Sequence, residues 1–541
     1  MRSEASDHDK SPPKPPEGVR EWLHSWRYLF LVIGLAGLVL LFYQEENWRG
    51  HRAWEKYKER KVASGERFEP AAFIPPRVAD DDNFAMTPAL APMFEFIPGT
   101  QRWVNPSGPA LFSDVKAKYD AAAGQVKSTS EARVNSWIPG RTDLGAWAMA
   151  FSTPTNHRHQ KKALTPVTFT SREAASRILA GVADLDPVLD ELRTARKRPK
   201  SRFNLRYEQD NPAEILLPHL AQLKSLCQVL QLRSCAELAS GRSADALNDI
   251  DLMFYLTDAT RDEPILITHL VRIAELQLAL QPLAEGMGTW SEPQLLALQT
   301  RLQRFDFCSD LKRSLEAERT LFGGGIFDYI RRSSNRAGLI EQFERSGPGN
   351  DSGNDSLWPV APLLVAAPSG WFYLEQLNAS RTFDQYLLPL IDLDNRLIKP
   401  EAARSAEARI ADFNSGSPVN RFLHHKLFAG MLLPAVSKVS QKAAYGQTAV
   451  DTAVLACALE RYRLAHGELP NSLEKLAPQF IAALPHDLIT GKPLIYRPNS
   501  DGHYLLYSVG WNEEDDGGVP GKNKNAEAEH PDGDWVWADN F

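Results

Sequence analysis

Residue types that carry out chemistry are few and scattered along this 541-residue chain. The four cysteines, Cys227, Cys235, Cys308 and Cys457, form no CxxC pair and have no histidine at metal-ligand spacing. Neither GxSxG nor HExxH occurs, and no carboxylate-pair motif marks an acid–base site. The triple glycine at 323–325 is no phosphate loop, because no Lys-Ser or Lys-Thr follows it, and we expect it to break a helix or allow close packing. The sequence therefore predicts no catalytic residue and no enzyme.

One acidic, glycine-rich stretch near the C-terminus has the composition of a cation site. It begins NEEDDGG at residue 512 and ends DGD at residue 534. Calcium takes about six to eight hard oxygen ligands, and such a stretch supplies both carboxylates and carbonyls. The alternative is an acidic disordered tail. The polar insertion GVPGKNKNAEAEHP favours this alternative. Both interpretations stand at this point.

The segment before this stretch predicts a small α+β unit. A long helix rich in alanine and leucine is stopped by Gly467 and Pro470. Two strands with alternating apolar residues follow at 494–497 and 504–509, joined by a turn at 499–502. A long helix that covers a small antiparallel sheet is the expected arrangement.

Residues 430–541 resemble the globular domain of type II secretion major pseudopilins. Three segments in the family's order carry the resemblance: YRLAHGELPNSLEKL from Tyr462, LPHDLITGKPLIY from Leu484 and HYLLYSVG from His503. The resemblance implies a pilin-like α+β domain over 428–541. Members of the family often bind calcium in the loop after the last strand. The corresponding residues in this chain are Asn512, Asp515, Asp516, Asp532 and Asp534.

The chain departs from that family in its membrane helix. Pseudopilins begin with a processed Gly-Phe site and carry a glutamate inside the membrane helix, whereas the pilin-like helix here is internal. Its upstream part, NRFLHHK over 420–426, is too polar to span a bilayer. The resemblance therefore implies a pilin-like fold without implying assembly into a pilus.

A run of apolar residues over 28–43, YLFLVIGLAGLVLLFY, contains no charge and predicts a transmembrane helix. A span takes roughly 20 residues, and Trp22, Trp26 and Trp48 extend the run into the two interfacial belts. No small-x-small cleavage site follows, which argues against a signal peptide. We expect the chain to contact the lipid bilayer through residues 28–43 as an uncleaved, single-pass anchor.

Two arguments conflict about the side of the membrane on which the bulk of the chain lies. Positive charges are more numerous just after the run than before it, which does not favour an inside N-terminus. The pseudopilin resemblance implies that the bulk lies outside the cytoplasm. We expect an inner (cytoplasmic) membrane protein with its bulk extracytoplasmic.

The chain as a whole is predicted to be mainly α, with a central helical array. The predicted segments are a disordered tail over 1–27, the transmembrane helix over 28–43, a charged and largely solvated juxtamembrane helix over 44–67, an extended irregular region over 68–165 with a short helix near 113–122, a helical domain over 166–427 and the pilin-like domain over 428–541. The turn at Ala239-Ser-Gly241 followed by Ser243 resembles a tetratricopeptide-type helical hairpin. No repeat recurs at a fixed period.

Charge and the lack of motifs narrow the functional classes. A net charge of −7 and a pI near 6.1 argue against a nucleic-acid partner, which needs a concentrated basic face. We expect a membrane-anchored, non-enzymatic interaction or scaffold protein of a bacterial envelope, with a protein partner that the sequence does not name. The alternatives are a pseudopilin-like component of a secretion or envelope-assembly system and an unrecognised hydrolase.

Overall fold

A computed structural model of the chain describes residues 17–107, 112–129, 141–152, 169–209, 211–339, 341, 358–413, 415–433, 438–520 and 533–537. These residues are mainly helical, and their strands form two small sheets. The mainly α class predicted from the sequence is therefore confirmed.

The helices are numbered here in chain order. Their bounds are α1 Glu17–Ala63, α2 Ser113–Thr129, α3 Leu144–Ser152, α4 Ser171–Val182, α5 Asp186–Ala195, α6 Pro218–Ala239, α7 Ser243–Ala259, α8 Leu266–Glu285, α9 Glu292–Leu302, α10 Phe307–Ala317, α11 Gly324–Arg332, α12 Ala361–Ala366, α13 Ser369–Thr382, α14 Pro400–Phe413, α15 Pro418–Leu423, α16 Leu427–Leu432 and α17 Val439–His466. Two π-helical segments, π1 Glu318–Gly323 and π2 Phe383–Leu387, continue α10 and α13 respectively.

The strands lie in two antiparallel sheets. A two-residue hairpin pairs β1 Ile391–Asp392 with β2 Leu397–Ile398. The larger sheet has the order β3-β4-β5, with β3 Ile495–Pro498, β4 Tyr504–Ser508 and β5 Trp535–Trp537. Its first two strands lie where the sequence predicted them, and β5 adds a third strand after the acidic stretch.

Helix α1 contains the predicted membrane segment. Its apolar side chains are exposed around the whole helix, for example Tyr28 at 69%, Leu35 at 64% and Leu38 at 66%. Among the described residues it is the one helix long and apolar enough to cross a membrane. The helix begins at Glu17, so the last part of the predicted disordered tail is helical. Residues 1–16 lie outside the described part of the chain.

The charged segment after the membrane run continues α1 without a break to Ala63. We expected a largely solvated helix leaving the bilayer, and the structure differs in one respect. Trp54 and Tyr57, on one face of this segment, are buried against Leu377 of α13. The segment is therefore a structural element of the body of the protein, because its aromatic face has a partner within the chain.

The region predicted to be extended, 68–165, contains more helix than expected. Prolines limit its first part to 3₁₀ turns at Pro70–Ala72, Asp80–Asp82, Phe84–Met86 and Ala91–Phe94. The described residues from 113 to 152 contain no proline, and α2 and α3 form there. Val115, Tyr119, Ala122 and Val126 share one buried face of α2, which a helical period explains.

The central helices form antiparallel neighbours. α6 and α7 are joined by the predicted tight turn, in which Gly241 has a left-handed φ of +76°. α8 packs against both helices. This arrangement matches the single helical hairpin that the sequence indicated.

Helix α17, expected to begin a separate domain, lies in the middle of the fold. It packs on α8, α9 and α10 on one side and contacts β5 on the other. Residues from Val439 to Arg461 are mostly buried around the whole helix, and Gly446 approaches Ile273 closely. One hydrophobic cluster runs from Phe84 to Trp537 and includes residues on both sides of the boundary expected at 428.

Candidate functional site

The described residues of the acidic stretch, 512–520 and 533–534, carry hydrogen bonds among themselves after β4 and before β5. The Asn512 side chain donates to Asp516 Oδ2 at 2.9 Å. Asp534 accepts from the backbone amides of Asp516, at 3.3 Å, and of Gly518, at 2.6 Å. The structure thus brings Asn512, Asp516 and Asp534 together. Asp532 lies outside the described residues.

The remaining predicted ligand, Asp515, is held by neighbours on the sheet. Its Oδ1 accepts from the Tyr507 hydroxyl at 2.8 Å, and that hydrogen bond lowers the pKa of Asp515. The Arg497 guanidinium lies 3.6 Å from Oδ2. Burial raises the pKa of Asp534, which is 2% exposed. Among the described residues no three His, Cys, Asp or Glu side chains form a metal-holding group.

Calcium binding at this loop stays a prediction from the family resemblance. Titration of the full-length protein in detergent is expected to give heat at about 0.1–1 mM calcium, the range of extracellular modules. Asp534→Asn should abolish that heat. Asp501→Asn, in the β3–β4 turn, is the control and should not change it. A flat calorimetric trace for the wild-type protein at millimolar calcium would remove the site.

The second feature of interest is the junction between α1 and α13, where the two helices contact each other. The two helices run parallel, because contacts of Tyr43 with Ala366, Asn47 with Gly370 and Tyr57 with Asp384 keep a nearly constant sequence offset. Asn47 Oδ1 accepts from the Gly370 amide at 2.8 Å, which satisfies a donor in the first turn of α13. The part of α1 from Tyr43 to Tyr57 is therefore held by the body.

The two backbones touch at a pair of glycines, one on each helix. A Cβ added to Gly370 would lie 1.9 Å from the Glu46 carbonyl oxygen. A Cβ added to Gly50 would lie 2.2 Å from the Gly370 carbonyl oxygen. Both distances are far below contact distance, so this crossing requires glycine at both positions.

A network of charged side chains lies at the end of the junction that is farther from the membrane run. Asp384 accepts hydrogen bonds from the Tyr57 hydroxyl at 2.7 Å and from Arg319, and Lys61 Nζ lies 2.8 Å away. Arg319, 2% exposed, also faces Glu66 Oε2 at 3.0 Å. Burial, and then the hydrogen bond to Asp384, raise the pKa of Tyr57, which keeps its hydroxyl a donor. The network connects α1 to both π segments.

Arg319 and Asp384 lie on the two π-helical segments, π1 and π2. A π-helical turn widens the helix by one residue and is frequent at functional sites. Arg319 of π1 pairs with Asp384 of π2, and both Arg319 and its neighbour Glu318 line a cavity. The irregular helix geometry thus serves two neighbouring features, the ion network and a cavity.

A cavity of about 400 Å³ lies beside these π segments. Apolar side chains from α8, π1, α11 and π2 form most of its wall, and its charged groups are Glu318 and Arg319. Its other lining residues include Ile215, Ile267, Phe322, Ile326 and Phe383. An apolar cavity with a few polar groups is the usual form of a ligand site. We take this cavity, with the adjoining network, as the candidate functional site.

Glu318 is the titratable group of the cavity wall. Its carboxylate accepts a hydrogen bond from the Leu266 amide at the start of α8, and no charged side chain offsets its burial. Burial raises its pKa to about 7. Near neutral pH the cavity therefore holds a carboxyl that is partly protonated and able to donate a hydrogen bond.

Replacement of Glu318 by glutamine tests this assignment through pH-dependent stability. The folded-state pKa of about 7 lies above the ordinary value of 4.5, so folding takes up a proton between these pH values. Wild-type stability should therefore fall as the pH rises through this window, by up to about 3 kcal/mol. Glu318→Gln should match the wild type at pH 4.5 and exceed it above pH 7 in thermal unfolding. A difference that is constant with pH would show that Glu318 does not titrate there.

No protein-family model, curated protein or solved structure matches the chain.

Sequence patterns pointed to the acidic loop and missed the cavity and the junction. The signal near the cavity was the triple glycine at 323–325, for which we expected a helix break or close packing. Gly325 does approach Pro212 closely, at the cavity wall. The partners of the junction lie about 320 residues apart in sequence, so no local pattern reports their contact.

Proposed function

We propose that this chain is a membrane-anchored, non-enzymatic scaffold protein of a bacterial envelope. Its binding site for a protein partner is the apolar cavity beside π1, which receives an apolar segment of that partner. The observation that carries the proposal is the shared residue Arg319, which lines the cavity and joins the network that holds α1. A ligand site is thereby fixed to the membrane anchor.

The chemistry of the cavity wall favours binding over catalysis. Neither histidine nor cysteine is among its described lining residues, and its carboxyl is engaged by the Leu266 amide. A hydrolase needs a nucleophile, a base and a group that orients the base. The apolar wall instead offers burial of about 25 cal/mol per Å² to an apolar side chain.

Photo-crosslinking in cells tests the partner site. A photoreactive amino acid at Ile267, on the cavity wall and 49% exposed, should capture one protein band. The same residue at Leu464 on α17, also 49% exposed, is the matched control and should not. Ala213→Trp, at an exposed position on the cavity rim, should abolish the Ile267 product. Equal capture at both positions, or capture that survives Ala213→Trp, would contradict the proposal.

The membrane topology belongs to the same proposal. α1 spans the inner membrane once, and the bulk of the chain lies outside the cytoplasm. A phosphatase fused after residue 541 should be active, and a fluorescent protein that folds only in the cytoplasm should be dark at that position. The reverse pattern would place the bulk inside.

A pseudopilin-like role in a secretion or envelope-assembly system is the second candidate. The observation in its favour is the long helix α17 lying on the antiparallel sheet β3-β4-β5. The other side of α17 is occupied by α8, α9 and α10, which leaves less of it for contacts with other pilins. Identification of the protein cross-linked at Ile267 separates the two roles, since a secretion-system pilin would favour the second.

A further inference from the structure

The short helix α12 lies where the membrane run of α1 ends. Tyr43, the last residue of that run, donates a hydrogen bond from its hydroxyl to the Ala366 carbonyl. α12 leads directly into α13, and α13 runs parallel to α1 away from this point. The membrane end of the body is therefore formed by α12 and the start of α13.

α12 presents apolar side chains to its surroundings. Leu363 is 42% exposed and Val365 46%, while Leu364 between them is buried and fixes the helix to the body. The sequence from 356 to 374, SLWPVAPLLVAAPSGWFYL, contains no charged residue and is longer than the uncharged run in α1. An uncharged surface of this kind is unusual on a face that meets water.

Helix α15 extends the same face. Phe422 stacks on Trp371 with ring centroids 4.5 Å apart, and the Trp371 indole donates to the Phe422 carbonyl at 3.0 Å. Trp371 follows Gly370, the residue in contact with Glu46 and Asn47 of α1. The exposed apolar residues of α15 are Val419, at 42%, and Leu423, at 64%.

The depth of this face follows from the helix geometry. Asn47 lies four residues beyond Tyr43, which corresponds to about 6 Å along α1. The interfacial layer on each side of the hydrocarbon core is about 5–7 Å thick. With α1 across the bilayer, α12 and α15 lie at the depth of the lipid headgroups. Arg336, which donates to the Ala367 carbonyl at 2.5 Å, places a guanidinium at the edge of the face.

We propose that α12 and α15 form a membrane-docking face that inserts Leu363, Val365, Val419 and Leu423 into the interfacial layer beside α1. Lipid is the occupant because the face continues the lipid-exposed surface of the anchor through the Tyr43–Ala366 contact. The Arg336 guanidinium suits the phosphate of a lipid headgroup, and the apolar side chains suit the upper part of the acyl chains. The inference rests on α1 spanning the membrane, as in the proposed function. The body is then held at the bilayer by two contacts, the membrane run of α1 and this docking face.

Depth-dependent quenching in vesicles tests this docking. Leu363→Cys and Leu296→Cys, exposed by 42% and 44%, are labelled with an environment-sensitive fluorophore in the full-length protein. The four native cysteines are buried and serve as an unlabelled background. The proteins are then placed in phosphatidylcholine–phosphatidylglycerol vesicles with or without lipids spin-labelled near the headgroup. Recovery of the protein with the vesicle pellet after an alkaline wash shows that α1 is inserted, whether or not the docking face contacts the lipid.

The label at 363 should be quenched about twofold or more by the spin-labelled lipids, because interfacial apolar faces are buried roughly 5–10 Å. The label at 296, on α9, should be unaffected. A label at Leu423→Cys should behave like that at 363 and provides a second reading if one variant folds poorly. Unquenched labels at 363 and 423 in a protein that stays in the pellet would overturn docking and leave the anchor standing. Equal quenching at 296 would also overturn it, as nonspecific adsorption.

Discussion

Gly370→Ala is expected to separate the anchor helix from the body of the protein. The new methyl carbon would lie 1.9 Å from the Glu46 carbonyl oxygen, and backbone atoms cannot move aside as a flexible side chain does. Overpacking costs about 1–3 kcal/mol even where side chains adjust. Loss of the hydrogen bond between Asn47 and the Gly370 amide adds about 1 kcal/mol. We therefore expect a destabilisation of the junction of about 3 kcal/mol or more.

Limited proteolysis of the full-length protein in mild detergent measures this separation. Lys61, whose side chain is 20% exposed and paired with Asp384, should become a fast tryptic site in Gly370→Ala. Gly37→Ala is the matched control, since a Cβ at Gly37 on the same helix would meet nothing within 4 Å. Gly50→Ala should behave like Gly370→Ala. Wild-type protease resistance in both junction variants would mean that the helices do not touch as described.

Arg319→Met is expected to cost about 3 kcal/mol of stability, at the lower end of the range for breaking a buried ion pair. The substitution leaves Asp384 and Glu66 with Lys61 as their remaining cation. Lys61 limits the loss, and Glu66 is partly exposed, which limits it further. The cavity wall loses its guanidinium at the same time, so capture at Ile267 should also fall.

Thermal unfolding with a surface pair as reference checks this loss. Arg404→Met removes the Arg404–Glu513 pair, whose side chains are 51% and 37% exposed, and should change stability by about 0–1 kcal/mol. The double variant Arg319→Met with Asp384→Leu should recover part of the loss, because no buried carboxylate is then left beside the removed cation. Equal effects of Arg319→Met and Arg404→Met would show that the network contributes nothing particular to the junction.

The sequence predicted the elements better than their partners. The apolar run over 28–43, the helix end at Gly467 and the strands β3 and β4 all carry local signals of period, capping or turn chemistry. The position of α17 carries no such signal. Its small residues on every side are the mark of a helix buried all round, yet nothing local says that α8, α9 and α10 cover it. The sequence therefore contains no local signal that joins α17 to the helices before it.

The candidate site was hidden for the same reason. Glu318, Arg319 and Asp384 look like ordinary charges on helical segments in the sequence, and only the fold places them at a cavity and a network. Their π-helical backbone has no sequence rule as clear as a cap or a proline. The uncharged stretch over 356–374 was visible in the sequence, and its proximity to the end of the membrane run was not.

The parallel contact of α1 with α13 also implies a delay between the synthesis of α1 and its packing. Asn47 leaves the ribosome 323 residues before its partner Gly370. At about 5–20 residues per second, the face of α1 that carries Gly50, Trp54 and Tyr57 waits roughly 15–65 seconds for the helix that covers it. During that interval the aromatic stripe of the nascent chain is uncovered. The N-terminal helix of this protein therefore completes its packing only after more than half of the chain has been made.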